Sequence, residues 1–125
     1  MSQTKLVYYQ EDDGTVPIAD WLARLPEKAR AKCAVYLMRL EREGHELRRP
    51  IADYLRDGIY ELRPTLDGVQ YRILYFFHGR EAVVASHGLS KEQKVPSAEI
   101  ERAVRRMDLY KADPQHHTSF PARRS

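Results

Sequence analysis

"YELRPTLDGVQYRILYFF", Tyr60 to Phe77, decides the fold. Two runs rich in aromatic and branched residues, Ile59 to Arg63 and Gln70 to Phe77, flank Asp67-Gly68, a pair that suits a tight hairpin turn. Side chains alternate across a strand, so the hairpin sorts by parity. Tyr71, Ile73, Tyr75 and Phe77 share one face of the second run, matched by Tyr60 and Leu62 in the first. This face is expected to pack against helices. The other parity holds Glu61, Arg63, Arg72, Leu74 and Phe76, which are expected on an open face of the sheet.

Upstream, "KLVYYQ" (Lys5 to Gln10) reads as a first strand, and Pro17 suits the first turn of a helix carrying Ile18, Trp21, Leu22 and Leu25 on one side. From Glu27 to Glu43 the apolar positions Ala29, Cys33, Tyr36, Leu37 and Leu40 follow helical spacing, and Gly44 is a natural stop. Cys33 lies on the inward stripe, which makes it a packing residue rather than a nucleophile. His45 to Asp57 carries no clear element, because Arg49-Pro50 interrupts a helix and Asp57-Gly58 signals a turn.

Downstream, "AVVASHG" (Ala82 to Gly88) is a third strand, completing an antiparallel meander. Ser97 is expected to cap a last helix with Glu99 and Glu101 in its first turn. Ile100, Ala103, Val104, Met107 and Tyr110 form that helix's stripe. The order strand, helix, helix, three strands, helix predicts a small α+β domain over residues 1–112, with the helices on one face. Residues 113–125 read as a disordered tail, and its His116-His117 pair has no further metal ligand in sight.

A chain of 125 residues with 42% apolar and 31% charged residues fits one globular domain. No run of apolar residues is long enough to span a membrane, and the N-terminus lacks an apolar signal core. A single cysteine excludes an internal disulfide and a thiolate metal cluster. Cytoplasm is therefore the expected location. The net charge of +3 favours a polyanionic partner only weakly, so placement matters more. Glu11, Asp12 and Asp13 cluster early, whereas Arg48, Arg49, Arg56, Arg63, Arg72, Lys91 and Lys94 occupy the middle.

Arg63 and Arg72 beside Leu74 and Phe76 suit a surface that accepts an anionic partner with aromatic parts, such as RNA. The plainer reading is a solvated sheet face on which Glu61 pairs across the strands with Arg72. Lys91 and Lys94, in the loop after the third strand, would reach one edge of the same face. Four cations around one patch match phosphate chemistry, through arginine's planar fork and lysine's mobile charge.

These residues carry a resemblance. "DGIYELRPTLDGVQYRILYFF" followed by "AVVASHGLSKEQKVPSAEIERA" resembles the HigB-like, phage-derived branch of the RelE/ParE toxin superfamily over roughly residues 5 to 111. The resemblance implies a type II toxin–antitoxin toxin that cleaves mRNA on the ribosome without metal or other cofactor. It also implies a cognate antitoxin with a helix-turn-helix domain as partner. Carried over by position, Arg63 and Arg72 match the family's basic strand residues, and Lys91 and Lys94 its basic loop. Arg56, Leu74 and Phe76 are expected to contact RNA beside them. Some relatives have lysine where this chain has Arg63.

Metal-free cleavage uses the 2′-hydroxyl as nucleophile on the adjacent phosphate, which requires charge stabilisers, a base and an acid. Arginine stays protonated, so Arg63 and Arg72 stabilise charge and do not act as bases. Glu61, His87, Lys91 and Lys94 remain as the proton-transfer candidates, while Tyr71 points to the core by parity. A gyrase-inhibiting toxin and an inactive relic of the same fold are the alternatives.

Overall fold

The computed structural model describes residues 4–90 and 94–122. Its strands are β1 (Lys5–Tyr9), β2 (Ala52–Arg56), β3 (Ile59–Leu62), β4 (Thr65–Leu66), β5 (Val69–His78), β6 (Ala82–Ser90) and β7 (Thr118–Ser119). Its helices are α1 (Pro17–Arg24), α2 (Glu27–Glu43) and α3 (Ser97–Ala112). The α+β class expected from the sequence holds.

The sheet runs in the order β2-β3-β5-β6-β1-β7, with β4 paired to β5 at one end. β2, β3, β5 and β6 form an antiparallel meander, while β1 joins β6 in parallel with Lys5 opposite Ala82. The Asp-Gly turn behaves as its composition dictates: Asp67 and Gly68 take φ of 52° and 79° between β4 and β5. β2 fills part of the stretch from His45 to Asp57, where no clear element was expected.

Helices cover both faces of the sheet, not one. On the first face α1 and α2 bury Ile18, Trp21, Ala29, Cys33, Leu37 and Leu40 against Leu62, Tyr71, Ile73, Tyr75, Val83 and Ala85. This is the parity class read from the hairpin. Trp21 lies flat over Gly88, where any Cβ would fall inside the indole's van der Waals surface, so glycine is required there. On the second face Ile100, Ala103 and Tyr110 of α3 cover Val7, Ile59, Leu74, Phe76 and Val84. The stripe of α3 needed an apolar face of its own, and the second parity of β5 supplies it.

The C-terminal segment also departs from the sequence reading. Residues 114–122 do not form a free tail, because β7 pairs antiparallel with β1 through Tyr8–Ser119 and Tyr9–Thr118. The His117 ring stacks on Tyr9 with centroids 5.0 Å apart, and the Thr118 hydroxyl donates to the Pro114 carbonyl at 2.7 Å while its oxygen lies 3.0 Å from the Tyr110 hydroxyl.

Candidate functional site

The described groups that sequence reasoning gathered on one open face do not form one patch: Glu61 and Arg72 pair with each other, and His87 joins a separate cluster at the start of α3. Leu74 is 0% exposed and Phe76 1%, so neither is available to stack on RNA as expected. Their place is the apolar floor beneath α3. Glu61, Leu74 and His87 lie opposite one another on β3, β5 and β6. Two strand spacings of about 4.8 Å therefore separate Glu61 from His87.

Glu61 and Arg72 form the first cluster. Arg72 Nη1 donates to Glu61 Oε1, and the two residues are only 6% and 5% exposed. Arg72 is thus not a bare phosphate-binding floor. Its charge is neutralised where it sits, and removing Arg72 would leave the buried Glu61 carboxylate without this ion pair in a low-dielectric setting. Arg63 follows the end of β3, partly buried. Its Nη2 reaches Gln70 Oε1 at 3.5 Å, and its buried Nε has no hydrogen-bond partner among the described residues. An unsatisfied guanidinium nitrogen is costly, which makes Arg63 the least compensated of the strand cations.

The second cluster depends on a bulge. Leu74 faces His87 but Tyr75 faces Ala85, so Ser86 is an extra residue in β6. By plain parity His87 would join Val83 and Ala85 on the α1 side. The bulge resets the count and turns Ser86 and His87 together toward α3. His87 Nε2 meets Glu99 Oε1 at 2.9 Å. Its Nδ1 meets Ser86 Oγ at 2.8 Å and Arg106 Nη1 at 3.1 Å. A carboxylate only accepts and a guanidinium only donates, so one assignment satisfies every group: Nε2 carries the proton and Nδ1 accepts. Burial, reinforced by the Arg106 guanidinium, pushes the His87 imidazole down to about 4. The His87–Glu99 contact is therefore a hydrogen bond from a neutral ring at neutral pH, not an ion pair.

Arg106 continues the network. Its Nη2 lies 3.3 Å from Glu11 Oε2, and its guanidinium carbon stands 5.6 Å from the Tyr9 ring centroid. Glu99 is the more accessible end, with its side chain 25% exposed and Arg102 Nε 3.8 Å away.

The remaining candidates are placed as follows. Lys91 lies outside the described residues. Lys94 is exposed, has no carboxylate partner among the described residues, and precedes Val95, which is buried in the α3-side core. Arg56 fastens α3 to β2: its Nη1 is 2.6 Å from Asp57 Oδ2, and its Nη2 donates to Ser97 Oγ at 2.9 Å. Ser97 accordingly does not cap its helix, since Pro96 holds the N-cap position. Tyr71 is buried edge-on to Trp21, away from this region. Cys33 is a packing residue, with burial pushing its thiol up to about 12.

Sequence reasoning missed the partners of His87, Ser86 among them. Glu99 was read as a helix-dipole residue, and Arg106 lies on the inward side of α3 between Ala103 and Tyr110. A buried-stripe position filled by arginine was the available signal, because such a charge demands partners.

Among the described residues no helix is long and apolar enough to cross a membrane. Comparison with curated proteins finds no match. A family model matches residues 20–108, spanning α1 through most of α3 and both clusters. The chain belongs to the phage-derived protein Gp49-like family (DUF891), which is related to the RelE/HigB toxins.

Proposed function

We propose that this chain is the toxin of a type II toxin–antitoxin pair and cleaves mRNA on the ribosome. In this reading the RNA's own 2′-hydroxyl attacks the adjacent phosphorus, the bond to the 5′-oxygen breaks, and a 2′,3′-cyclic phosphate and a 5′-hydroxyl result. Family membership supports a toxin, and one observation supports the chemistry. A carboxylate held by a buried, neutral imidazole, the Glu99–His87 pair, stands at the start of α3. Arg63, whose buried Nε has no hydrogen-bond partner among the described residues, and the exposed Lys94 are the cations this reading assigns to the phosphate.

Roles follow from these environments. Glu99 is the accessible acceptor for the 2′-hydroxyl proton, and His87 positions it by donating from Nε2. His87 itself is a poor base, since Ser86 and Arg106 occupy its Nδ1 lone pair and its affinity for a proton is low. Arg63 and Lys94, with Lys91, take the phosphate, and a lysine supplies the proton to the leaving 5′-oxygen. Arg72 holds Glu61 and braces the sheet behind them. A helix-turn-helix antitoxin, mRNA and the ribosome are the partners in this reading, and the cytoplasm is its setting.

The test is expression from a tightly repressed promoter with mapping of mRNA 5′ ends, for the native chain and for Glu99→Gln and Arg63→Ala. Growth arrest with new 5′ ends, lost at least a hundredfold in both variants, is the expected outcome. Arrest with intact mRNA and damaged DNA would move the assignment to gyrase. No arrest from soluble, folded protein would leave an inactive relic.

A further inference from the structure

Beside Glu11, at the outer end of the Arg106 network, three side chains converge where the C-terminal segment crosses the turn after β1. Asp12 Oδ1 lies 2.9 Å from His116 Nε2 and 3.9 Å from His117 Nε2, and one ligand atom from each residue falls within 4.8 Å of the others. The histidine pair therefore does have a third ligand, brought from the far end of the chain.

His117 is the informative member. It is only 4% exposed, held between the Tyr9 ring and the backbone. Its Nδ1 is 2.8 Å from the Gln10 carbonyl oxygen, which accepts and cannot donate. Nδ1 must then carry the proton, and the Nε2 of the neutral ring presents a lone pair. Asp12 Oδ1 stands 3.9 Å from that nitrogen, so the two can share a cation. The hydrogen bond from Nδ1 is also the backing that metal-bound imidazoles take from a carbonyl.

Bonds of about 2.0–2.1 Å to a tetrahedral zinc place neighbouring ligand atoms about 3.3 Å apart. Asp12 Oδ1 is 2.9 and 3.9 Å from the two imidazole nitrogens and the whole set lies within 4.8 Å, so a shared ion draws the ligand atoms inward. Both sides of the cluster are anchored, since Glu11 N donates to Thr15 O at 2.8 Å and Gln10 N donates to His117 O at 2.9 Å. The neighbouring acids are committed elsewhere: Glu11 to Arg106, and Asp13 to the Thr15 amide and hydroxyl.

We propose that Asp12, His116 and His117 bind a divalent cation of the zinc class, which clips the C-terminal segment to the turn after β1. Two imidazoles and one carboxylate are a borderline-soft set that suits Zn2+, Co2+ or Ni2+ over Mg2+ or Ca2+. The site takes no part in RNA cleavage, so it stands or falls apart from the proposed function.

The experiment is calorimetric titration of the untagged full chain with zinc chloride, followed by thermal melts and by cobalt absorption. One ion per chain at micromolar or tighter affinity, a zinc-dependent rise in Tm and intense visible cobalt bands are expected. Asp12→Asn and His116→Ala alter exposed residues and keep the fold; each should weaken binding at least tenfold and abolish the rise in Tm. His45→Ala, a histidine elsewhere, should change neither. No saturable binding at millimolar zinc overturns the proposal, as does binding that survives both variants or is lost with His45→Ala. Magnesium competing as well as zinc would overturn the class assignment.

Discussion

His87 shows how one residue's surroundings set its chemistry. The bulge at Ser86 turns the ring toward α3, where Glu99, Arg106 and Ser86 contact it and Arg102 adds a further positive charge. The imidazole's affinity for a proton falls from an ordinary 6.5 to about 4. The unfolded chain therefore binds more protons than the folded one between those values, and stability rises with pH across that window. His87 thus contributes stability that is fully present above about pH 6.5 and is lost as pH falls toward 4. At pH 5 the loss is on the order of 2 kcal/mol. Urea unfolding at pH 7.5 and pH 5 should show that loss in the native chain and a flatter profile in His87→Gln. An unchanged pH dependence in the variant would mean that other groups set it. Sequence parity alone would have faced this histidine the other way, because a one-residue bulge leaves no mark in the pattern of apolar residues.

Among elements, α3 and β7 separate what was legible from what was not. The hairpin's packed face was legible because Tyr71, Ile73, Tyr75 and Phe77 repeat with a strict period of two. Leu74 and Phe76 on the opposite parity held the contrary signal. A strand apolar on both faces is buried on both faces, and the stripe of α3 was the element available to cover it. The arginines diverted that reading, since Arg72 looks exposed until Glu61 is set against it. β7 was illegible for another reason. Its residues are polar, and what holds them is Tyr9 and Gln10, more than a hundred positions away. Local composition carries no trace of such partners. Ending the chain at Asp113 should therefore uncover Tyr9, which is now 0% exposed. We expect a loss of about 2 kcal/mol from the apolar surface alone, measured by urea unfolding. A truncated chain as stable as the native one would show that β7 contributes nothing.

For the whole molecule, the decisive feature is that β1 lies between β6 and β7 rather than at the sheet's margin. It contributes Leu6 to the core under α1 and α2, and Val7 and Tyr9 to the core under α3. Deleting residues 1–9 should remove the cooperative thermal transition, seen as a loss of the near-ultraviolet signal with helical content partly retained. A sharp melt in the deleted chain would show that the meander and its helices fold without β1. The strand–helix–helix–meander–helix order was readable from periodicity, whereas the parallel seat of β1 depends on which edge of the meander remains open.

That seat also governs when the protein comes into being on the ribosome. β1 is made first but has nowhere to lie until β6 has emerged, and the strand opposite Lys5 begins at Ala82. Arg106, which orders His87, also grips Glu11 across 95 positions of sequence. Such long-range closure is slow compared with forming helices or hairpins. The groups proposed to handle protons consequently come together only once β6 and α3 are both available to pack. The proposed site is thus made by tertiary closure between distant segments and by no local element alone.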